Sequence, residues 1–333
     1  MRRRLSRALT LGAAMVFSSL LGATYASAHG KMHCHVDTQR AGNFALRDSM
    51  ADPIVFHDRP RPQGHLHTFL GNEILMRRSN PGSAEYKGLV GKPTTCRVAA
   101  DSAAYWFPML QQRMANGTWR ELPVKSFIAY YRCWSYDVTR DQECSGNRTY
   151  PKDARLVAGN IDARGGGDPV TWNCNQNSSR PGPYVNPKDA NCSTARPVGG
   201  SGRVQLGAHI DFPTCWSGNL NKHAHKGNTA DFHGTPSLEV RNQFAYPAEV
   251  DRGAVCPARF GEGKVPHLRM TFSWEYQGDG KDLRLASGTI KKPFTMHADF
   301  WNTWVQGGLQ KMIDDCIDTS SPHPHGNEAV CGS

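Results

Sequence analysis

Val204-Gln205-Leu206-Gly207-Ala208-His209-Ile210-Asp211-Phe212 alternates strictly, with Val204, Leu206, Ala208, Ile210 and Phe212 on one side and Gln205, Gly207, His209 and Asp211 on the other. Period-two alternation over nine residues predicts a β-strand with one face in a core, and it sets His209 and Asp211 together on the opposite face. Leu268 to Tyr276 alternates equally well through Met270, Phe272 and Trp274. Val124 to Trp134 is a third strand, aromatic enough to be expected buried on both faces. The 33 glycines and 21 prolines fall between short apolar runs and do not gather in one linker. That punctuation favours many strands and turns. One helix stands out near the end, where Trp301, Trp304, Val305, Met312, Ile313, Cys316 and Ile317 recur at helical spacing, although Gly307 and Gly308 weaken its middle. Residues 160–202, rich in Gly, Asn, Ser and Pro, read as a long surface excursion pinned by Cys174 and Cys192. The expected fold class is mainly β: a single large, sandwich-like, β-rich domain with long loops, disulfides and one C-terminal helix. No repeat at a solenoid or propeller period is visible.

The chain opens on Arg2, Arg3, Arg4 and Arg7, runs apolar from Ala8 to about Ala23 and reaches Ala26-Ser27-Ala28. A basic start, a short apolar stretch and a small-x-small end are the marks of a cleavable leader. The stretch is shorter than the roughly 20 residues a bilayer core requires. The expected organisation is therefore a signal peptide over 1–28, an N-terminal segment over 29–44, one domain over 45–317 and a tail over 318–333. The protein is expected to be secreted and extracellular, with no membrane anchor after cleavage. All ten cysteines lie beyond residue 28, singly spaced and with no C-x-x-C pair. In an exported chain that reads as up to five disulfides and not as a zinc site, with the connectivity open. The formal charge is +10, and removing the four leader arginines leaves +6. This mild, scattered excess fits no nucleic-acid module, and the compartment excludes nucleic acid as a partner. It would attract an acidic wall polymer, or simply aid solubility.

Five segments gather the polar residues of interest: Asp52-Pro53-Ile54-Val55, Gly64-His65-Leu66-His67, His209-Ile210-Asp211, His223-Ala224-His225 and His297-Ala298-Asp299-Phe300. In extended chain, residues i and i+2 project from one face, their origins roughly 6–7 Å apart, so two side chains can converge on one ion or substrate. His65 and His67 thus make a chelate for a divalent ion or an acid/base pair, while such histidines also serve structure by hydrogen-bonding loop backbone. Asp299, just ahead of the expected helix, is equally well placed to be its N-cap. His65-Leu66-His67 followed by Glu73 is similar to a cupin metal motif inside a β-barrel, although the Glu comes too late and no second half-motif follows. Cleavage after Ala28 would leave His29 amino-terminal, where amine and ring can grip copper as in lytic polysaccharide monooxygenases; nothing downstream is similar to that family. Neither a G-x-S-x-G elbow, a P-loop, a dinucleotide fingerprint nor an H-E-x-x-H helix occurs. Asp52, Asp211 and Asp299 remain as carboxylates for a glycosidase-like pair.

Taken in order, Asp52-Pro53-Ile54-Val55, His65-Leu66-His67-Thr68-Phe69-Leu70-Gly71-Asn72, Tyr105-Trp106-Phe107-Pro108, Tyr130-Tyr131-Arg132, Ala158-Gly159-Asn160, Asp211-Phe212-Pro213-Thr214-Cys215-Trp216-Ser217-Gly218, Cys256-Pro257 and His297-Ala298-Asp299-Phe300 resemble the family known as the domain of unknown function numbered nineteen-ninety-six, of secreted actinobacterial and fungal proteins. The resemblance covers about residues 45–316. It departs at 56–63, which replace a Pro-Gly-containing approach to the His pair, and at Thr303, where Gly is common. It implies an extracellular setting near polysaccharide-rich walls, by association with wall-binding WSC modules in some relatives, and no reaction.

The expected function is a carbohydrate-active hydrolase or lyase acting on an extracellular or cell-wall glycan. His65 and His67 are its acid/base groups or metal ligands, Asp52 and Asp211 its orienting or acidic partners, and His297 with Asp299 the opposite wall of the cleft. Trp106, Tyr131, Arg132, Trp216 and Trp301 are the expected substrate-binding residues. A non-catalytic glycan-binding wall protein, with Trp106, Trp216 and Trp301 as stacking faces, is the alternative, and a copper-dependent oxidase built on His29 is the second.

Overall fold

A computed structural model describes residues 29–34, 53–54, 65–77, 84–134, 147–159, 170–174, 184, 186–197, 202–218, 220, 243–250, 253–260, 263–288 and 295–317. The leader, the tail, Asp52, His223 and His225 lie outside the described residues.

The architecture is mainly β, with two principal antiparallel sheets. The larger has five strands in the order β1 (His29–Cys34), β6 (Val124–Arg132), β15 (His267–Glu275), β9 (Gln205–Asp211) and β8 (Val170–Cys174). The smaller has four, in the order β2 (His67–Gly71), β3 (Ala104–Pro108), β17 (His297–Trp301) and β7 (Arg155–Gly159). Around them sit a three-stranded sheet of β4 (Leu110–Arg113), β5 (Trp119–Glu121) and β16 (Leu283–Leu285), a second of β10 (Cys215–Trp216), β11 (Phe244–Ala245) and β14 (Gly263–Lys264), and a hairpin of β12 (Ala248–Val250) and β13 (Gly253–Val255).

The two principal sheets face one another across an aromatic core. Phe107 of β3 packs on Phe272 of β15 with ring centroids 4.1 Å apart, and Tyr105 of β3 lies 5.3 Å from Phe127 of β6. Strand alternation then fixes what points outward. On the large sheet Leu206, Ala208 and Ile210 enter the core, so His209 and Asp211 face away from it. On the small sheet Phe300 and Ala298 enter the core, so His297, Asp299 and Trp301 take the other face. That face is itself covered: Trp106, Trp301 and Ala104 pack with Ile54, Leu75, Ala84 and Leu89 in a second apolar cluster. A strand layer with both faces covered loses its hydrophobic alternation, which is why β3 and β17 are buried at every position.

Three expectations need correction. β6 is buried on one face only, through Val124, Phe127, Ala129 and Tyr131, while Lys125 is exposed and Ser126, Ile128, Tyr130 and Arg132 are only partly buried. Residues 160–202 are not wholly a surface excursion: β8 alternates buried Val170, Trp172 and Cys174 with Thr171 and Asn173 and forms an edge of the large sheet. The C-terminal helix runs Gln306–Cys316, so Trp301 ends a strand and Val305, not Asp299, is its N-cap. Leu309, Met312, Ile313 and Cys316 form its buried face. Gly308 has a packing reason, since a Cβ there would stand 2.4 Å from the Ala100 side chain.

Disulfides join Cys34 to Cys96, Cys174 to Cys192 and Cys215 to Cys256. Cys133 and Cys316 are also disulfide-bonded, and no described cysteine is free. Among the described residues no helix is long and apolar enough to cross a membrane.

Candidate functional site

The outer face of the small sheet carries the expected histidines. β2 pairs with β3 so that His67 stands opposite Pro108, and the bond from the Met109 amide to the Leu66 carbonyl carries the pairing one step past the strand end. His65 therefore keeps the side that His67 occupies. On the far side of β3, the pairing of Asp299 with Trp106 brings His297, two residues earlier, level with Pro108. Adjacent strands lie about 4.8 Å apart, so His67 and His297 start about 10 Å apart and lean together over the proline between them. In β7, Gly159 stands opposite His297 with φ +86, and a Cβ there would fall 2.4 Å from the Met296 carbonyl. A side chain at 159 would push the strand bearing His297 away.

The result is three imidazoles in one knot. Ring centroids are 4.3 Å apart for His65–His67, 4.9 Å for His65–His297 and 5.7 Å for His67–His297. One nitrogen from each ring lies within 4.8 Å of the others, and the Nε2 atoms of His65 and His297 approach to 3.1 Å. His67 and His297 are 4% and 5% exposed, and His65 is half-buried. Burial drives all three pKa values down: His65 to about 2, with His297 adding to the effect; His67 well below the usual imidazole range; His297 to about 4, despite a hydrogen bond to the Thr295 carbonyl that opposes the shift. The rings are neutral at pH 7. Nδ1–H of neutral His297 donates to the Thr295 carbonyl at 2.9 Å, which leaves the lone pair on Nε2, aimed at His65. Asp299 lies one step along the same face, fully buried, between Trp106 of β3 and Val157 of β7. Phe69 stacks on Trp106 beside it with centroids 5.4 Å apart.

Two neutral imidazoles can meet at 3.1 Å when one donates to the other, but a third ring turned into the same space is a donor set for a cation. A tetrahedral ion with metal–nitrogen bonds of about 2.0–2.1 Å holds its ligand atoms about 3.3 Å apart. The His65–His297 separation fits that spacing. The cupin comparison fails: the sheets form no barrel, and Glu73 lies in a short helix, Glu73–Met76, where it pairs with Arg77.

Asp211 does not join this cluster. It lies on the outer face of the large sheet, with the aromatic core between it and the histidines, so the expected single cleft is two sites. There Asp211 Oδ1 accepts from His267 Nε2 at 2.6 Å and from Arg269 Nε at 2.7 Å, and Oδ2 accepts from Arg269 Nη2 at 2.8 Å. Burial pushes the Asp211 carboxyl up, but these hydrogen bonds and the Arg269 charge outweigh it and hold the group well below the usual carboxylate range. Burial keeps His267 below its ordinary pKa, so the neutral ring is the donor. His209 is fixed between Asn173 Nδ2 at 2.8 Å and Thr271 Oγ1 at 2.9 Å, and burial, then the Arg269 charge, lowers it to about 4.

The aromatic expectations divide as well. Trp106, Tyr131 and Trp301 are 0% exposed and cannot present a ring to a polysaccharide. Trp301 is clamped by Arg155 over its face at 4.0 Å and by its Nε1–H bond to Asp153 at 2.8 Å. Tyr131 accepts from Trp304 Nε1 at 3.0 Å and meets the Tyr105 hydroxyl at 2.7 Å. Trp216 is partly exposed in β10, and Arg132 is half-buried on the Asp211 face. His267 and Arg269 were not among the expected site residues. Starting the alternating strand at Leu268 left out His267, one residue earlier, although the same alternation sets His267 and Arg269 opposite the core-facing Leu268 and Met270.

A two-layer β-sandwich with a buried three-imidazole cluster on the outer face of its smaller sheet is the class that fold and site define. The chain belongs to the family described as domain of unknown function (DUF1996), which matches residues 52–304. No curated protein and no solved structure matches the chain.

Proposed function

We propose that this chain is a secreted carbohydrate-active enzyme, a hydrolase or lyase acting on an extracellular or cell-wall glycan, whose reactive centre is a divalent metal ion held by His65, His67 and His297. The observation that carries the reading is the convergence of three neutral imidazoles, with one nitrogen of each within 4.8 Å of the others. Neutral imidazole is the commonest protein ligand for zinc- and copper-type ions, and three such ligands leave a coordination position open for a water or a sugar oxygen. An ion bound there supplies Lewis-acid chemistry and a more acidic bound water. The chain's own contribution is orientation: the Thr295 carbonyl fixes the His297 tautomer, Pro108 leaves room for the rings to meet, and Asp299 adds a carboxylate on the same face. Secretion is supported by the leader-like first 28 residues and the disulfides, and it makes wall polysaccharide the available substrate class. Burial of Trp106 and Trp301 removes two of the three rings on which a stacking wall-binding protein would rely.

The test is a metal titration. Mature protein stripped with chelator is titrated with zinc, copper, calcium and manganese, while melting temperature and release of new sugar ends from a panel of wall glycans are followed. Binding at one site per chain, lost in His65→Ala, His67→Ala and His297→Ala, is the expected result. His29 opens β1 on the other sheet, so the copper-oxidase alternative is separable. Binding that survives all three substitutions but disappears when one residue is added before His29 would move the metal to the amino terminus. Binding without turnover of any glycan would keep the metal site and remove the enzyme.

A further inference from the structure

The outer face of the large sheet holds a second polar cluster that the metal centre does not use. Register sets Arg132 of β6 opposite His267 of β15, and Tyr130 opposite Arg269, which in turn stands opposite Asp211 of β9. Asp211 is fully engaged by His267 and Arg269. Arg132 is held differently: its Nε is shut off from solvent with no hydrogen-bond partner among the described residues, and its guanidinium carbon lies 5.1 Å above the Tyr130 ring. The charged groups facing it among the described residues are Arg269 and Asp211, paired with one another, and Lys31, opposite Tyr130 on β1; His29 of β1 and His267 of β15 stand opposite Arg132 itself. Among the described residues no carboxylate bonds to this half-buried guanidinium, so it loses hydration that the distant Asp211 charge only partly replaces. Burial first, and then the Arg269 charge, lower its pKa, against the opposing influence of Asp211 and Tyr130.

We infer that Arg132, backed by Arg269 and Lys31, is the binding site for an oxyanion carried on an acidic glycan, a uronate carboxylate or a phosphate group. Arg269 is held rigid by its two-pronged bond to Asp211, so its charge is fixed in place before a ligand arrives. A guanidinium fork matches a planar or tetrahedral anion. The sites lie on opposite outer faces, so this one stands or falls apart from the metal reading. If both are correct, an acidic polymer is anchored on one sheet while the metal lies on the other.

The test uses the full mature chain with inorganic phosphate, oligogalacturonate and a neutral oligogalactan as probes, in calorimetric titration and in melting scans at constant ionic strength. Phosphate or oligogalacturonate should raise the melting temperature of the wild type, and the neutral oligomer should not. Arg132→Met should weaken anion binding at least about tenfold, as loss of a charge-assisted hydrogen bond predicts, while melting unchanged or slightly higher in anion-free buffer. Arg132→Lys should bind, but more weakly. Tighter binding of oligogalacturonate than of phosphate assigns the anion to uronates, and the reverse order assigns it to phosphate polymers; either supports the site. Equal binding of the neutral oligomer, no response to either anion, or an Arg132→Met protein that melts several degrees lower without ligand would overturn it.

Discussion

At the scale of single residues, the histidine cluster depends on small neighbours as much as on its ligands. Pro108 lies level with His67 and His297 and lets two rings from strands two apart reach one another. Gly159 does the equivalent on the β7 side. Its φ of +86 disfavours any L side chain, by about 1–2 kcal/mol, and its missing Cβ would lie 2.4 Å from backbone. Gly159→Ala should therefore destabilise the fold by at least that amount and, by moving β17, weaken metal binding more than an alanine placed on the exposed side of β6. The comparison is a zinc titration of both variants at a temperature where each is fully folded. Unchanged affinity in Gly159→Ala would mean that the strand adjusts without moving His297. The His65/His67 pair was legible because i, i+2 spacing in extended chain is geometry that a sequence states outright. Its partnership with His297, 230 residues further on, was expected only from both segments being polar within core-like surroundings, since strand pairing is long-range information.

At the scale of elements, alternation located β9 and β15 to within a residue or two, because each has one face in the core. It misread β6, whose run of aromatic residues suggested two covered faces, and it missed β8, five residues within a Gly- and Asn-rich stretch where period two barely repeats. Those strands differ in what holds them. β1 and β8 are the two edges of the large sheet, and each ends on a disulfide cysteine, Cys34 and Cys174. An edge strand has half the pairing of a central one, so a covalent tie at its end matters more there. Closing the 18-residue separation between Cys174 and Cys192 should stabilise by about 3 kcal/mol in the chain-entropy view. The double variant Cys174→Ala/Cys192→Ala should lose about that much in urea denaturation. Amide exchange in Val170–Cys174 should accelerate far more than in the central β15, and metal binding on the other sheet should persist. An unchanged urea midpoint with β8 still protected would show the tie to be redundant.

At the scale of the whole molecule, one hydrogen-bonded chain crosses the sandwich and should set its pH response. Trp304, just before the C-terminal helix, donates to Tyr131 of β6; Tyr131 meets Tyr105 of β3 at 2.7 Å; and the Tyr105 hydroxyl reaches both oxygens of Asp101 at 2.9 and 2.8 Å. The chain links the two sheets and the helix through a fully buried carboxyl. Burial pushes Asp101 up to about 8, although bonds from Tyr105 and the Ala103 amide oppose the shift. A carboxyl whose folded pKa is raised contributes stability that is complete below its unfolded value of 3.8 and is lost as pH rises through the folded value. The buried histidines work in the opposite sense. His65, His67, His209 and His297 have lowered folded values, so their contribution is present above 6.5 and is lost as pH falls below it. Stability should therefore peak near pH 7, where the last histidine protons of the unfolded chain balance the proton held by folded Asp101. Above that the histidine contribution fades, and the buried tyrosines, raised above 10, have not begun to contribute. Between pH 6.5 and 8 the histidine slope is common to the wild type and to Asp101→Asn, so the difference between them belongs to Asp101, a relative decline approaching about 1.4 kcal/mol per pH unit at the lower end. Urea denaturation of chelator-stripped protein across pH 6 to 9 measures it, with Asp101→Asn as the comparison. The amide is neutral throughout and should remove the decline whatever its own effect on stability. A wild type as steep as Asp101→Asn over this range would mean that the carboxyl ionises near its ordinary value and that the chain across the sandwich carries a charge at neutral pH.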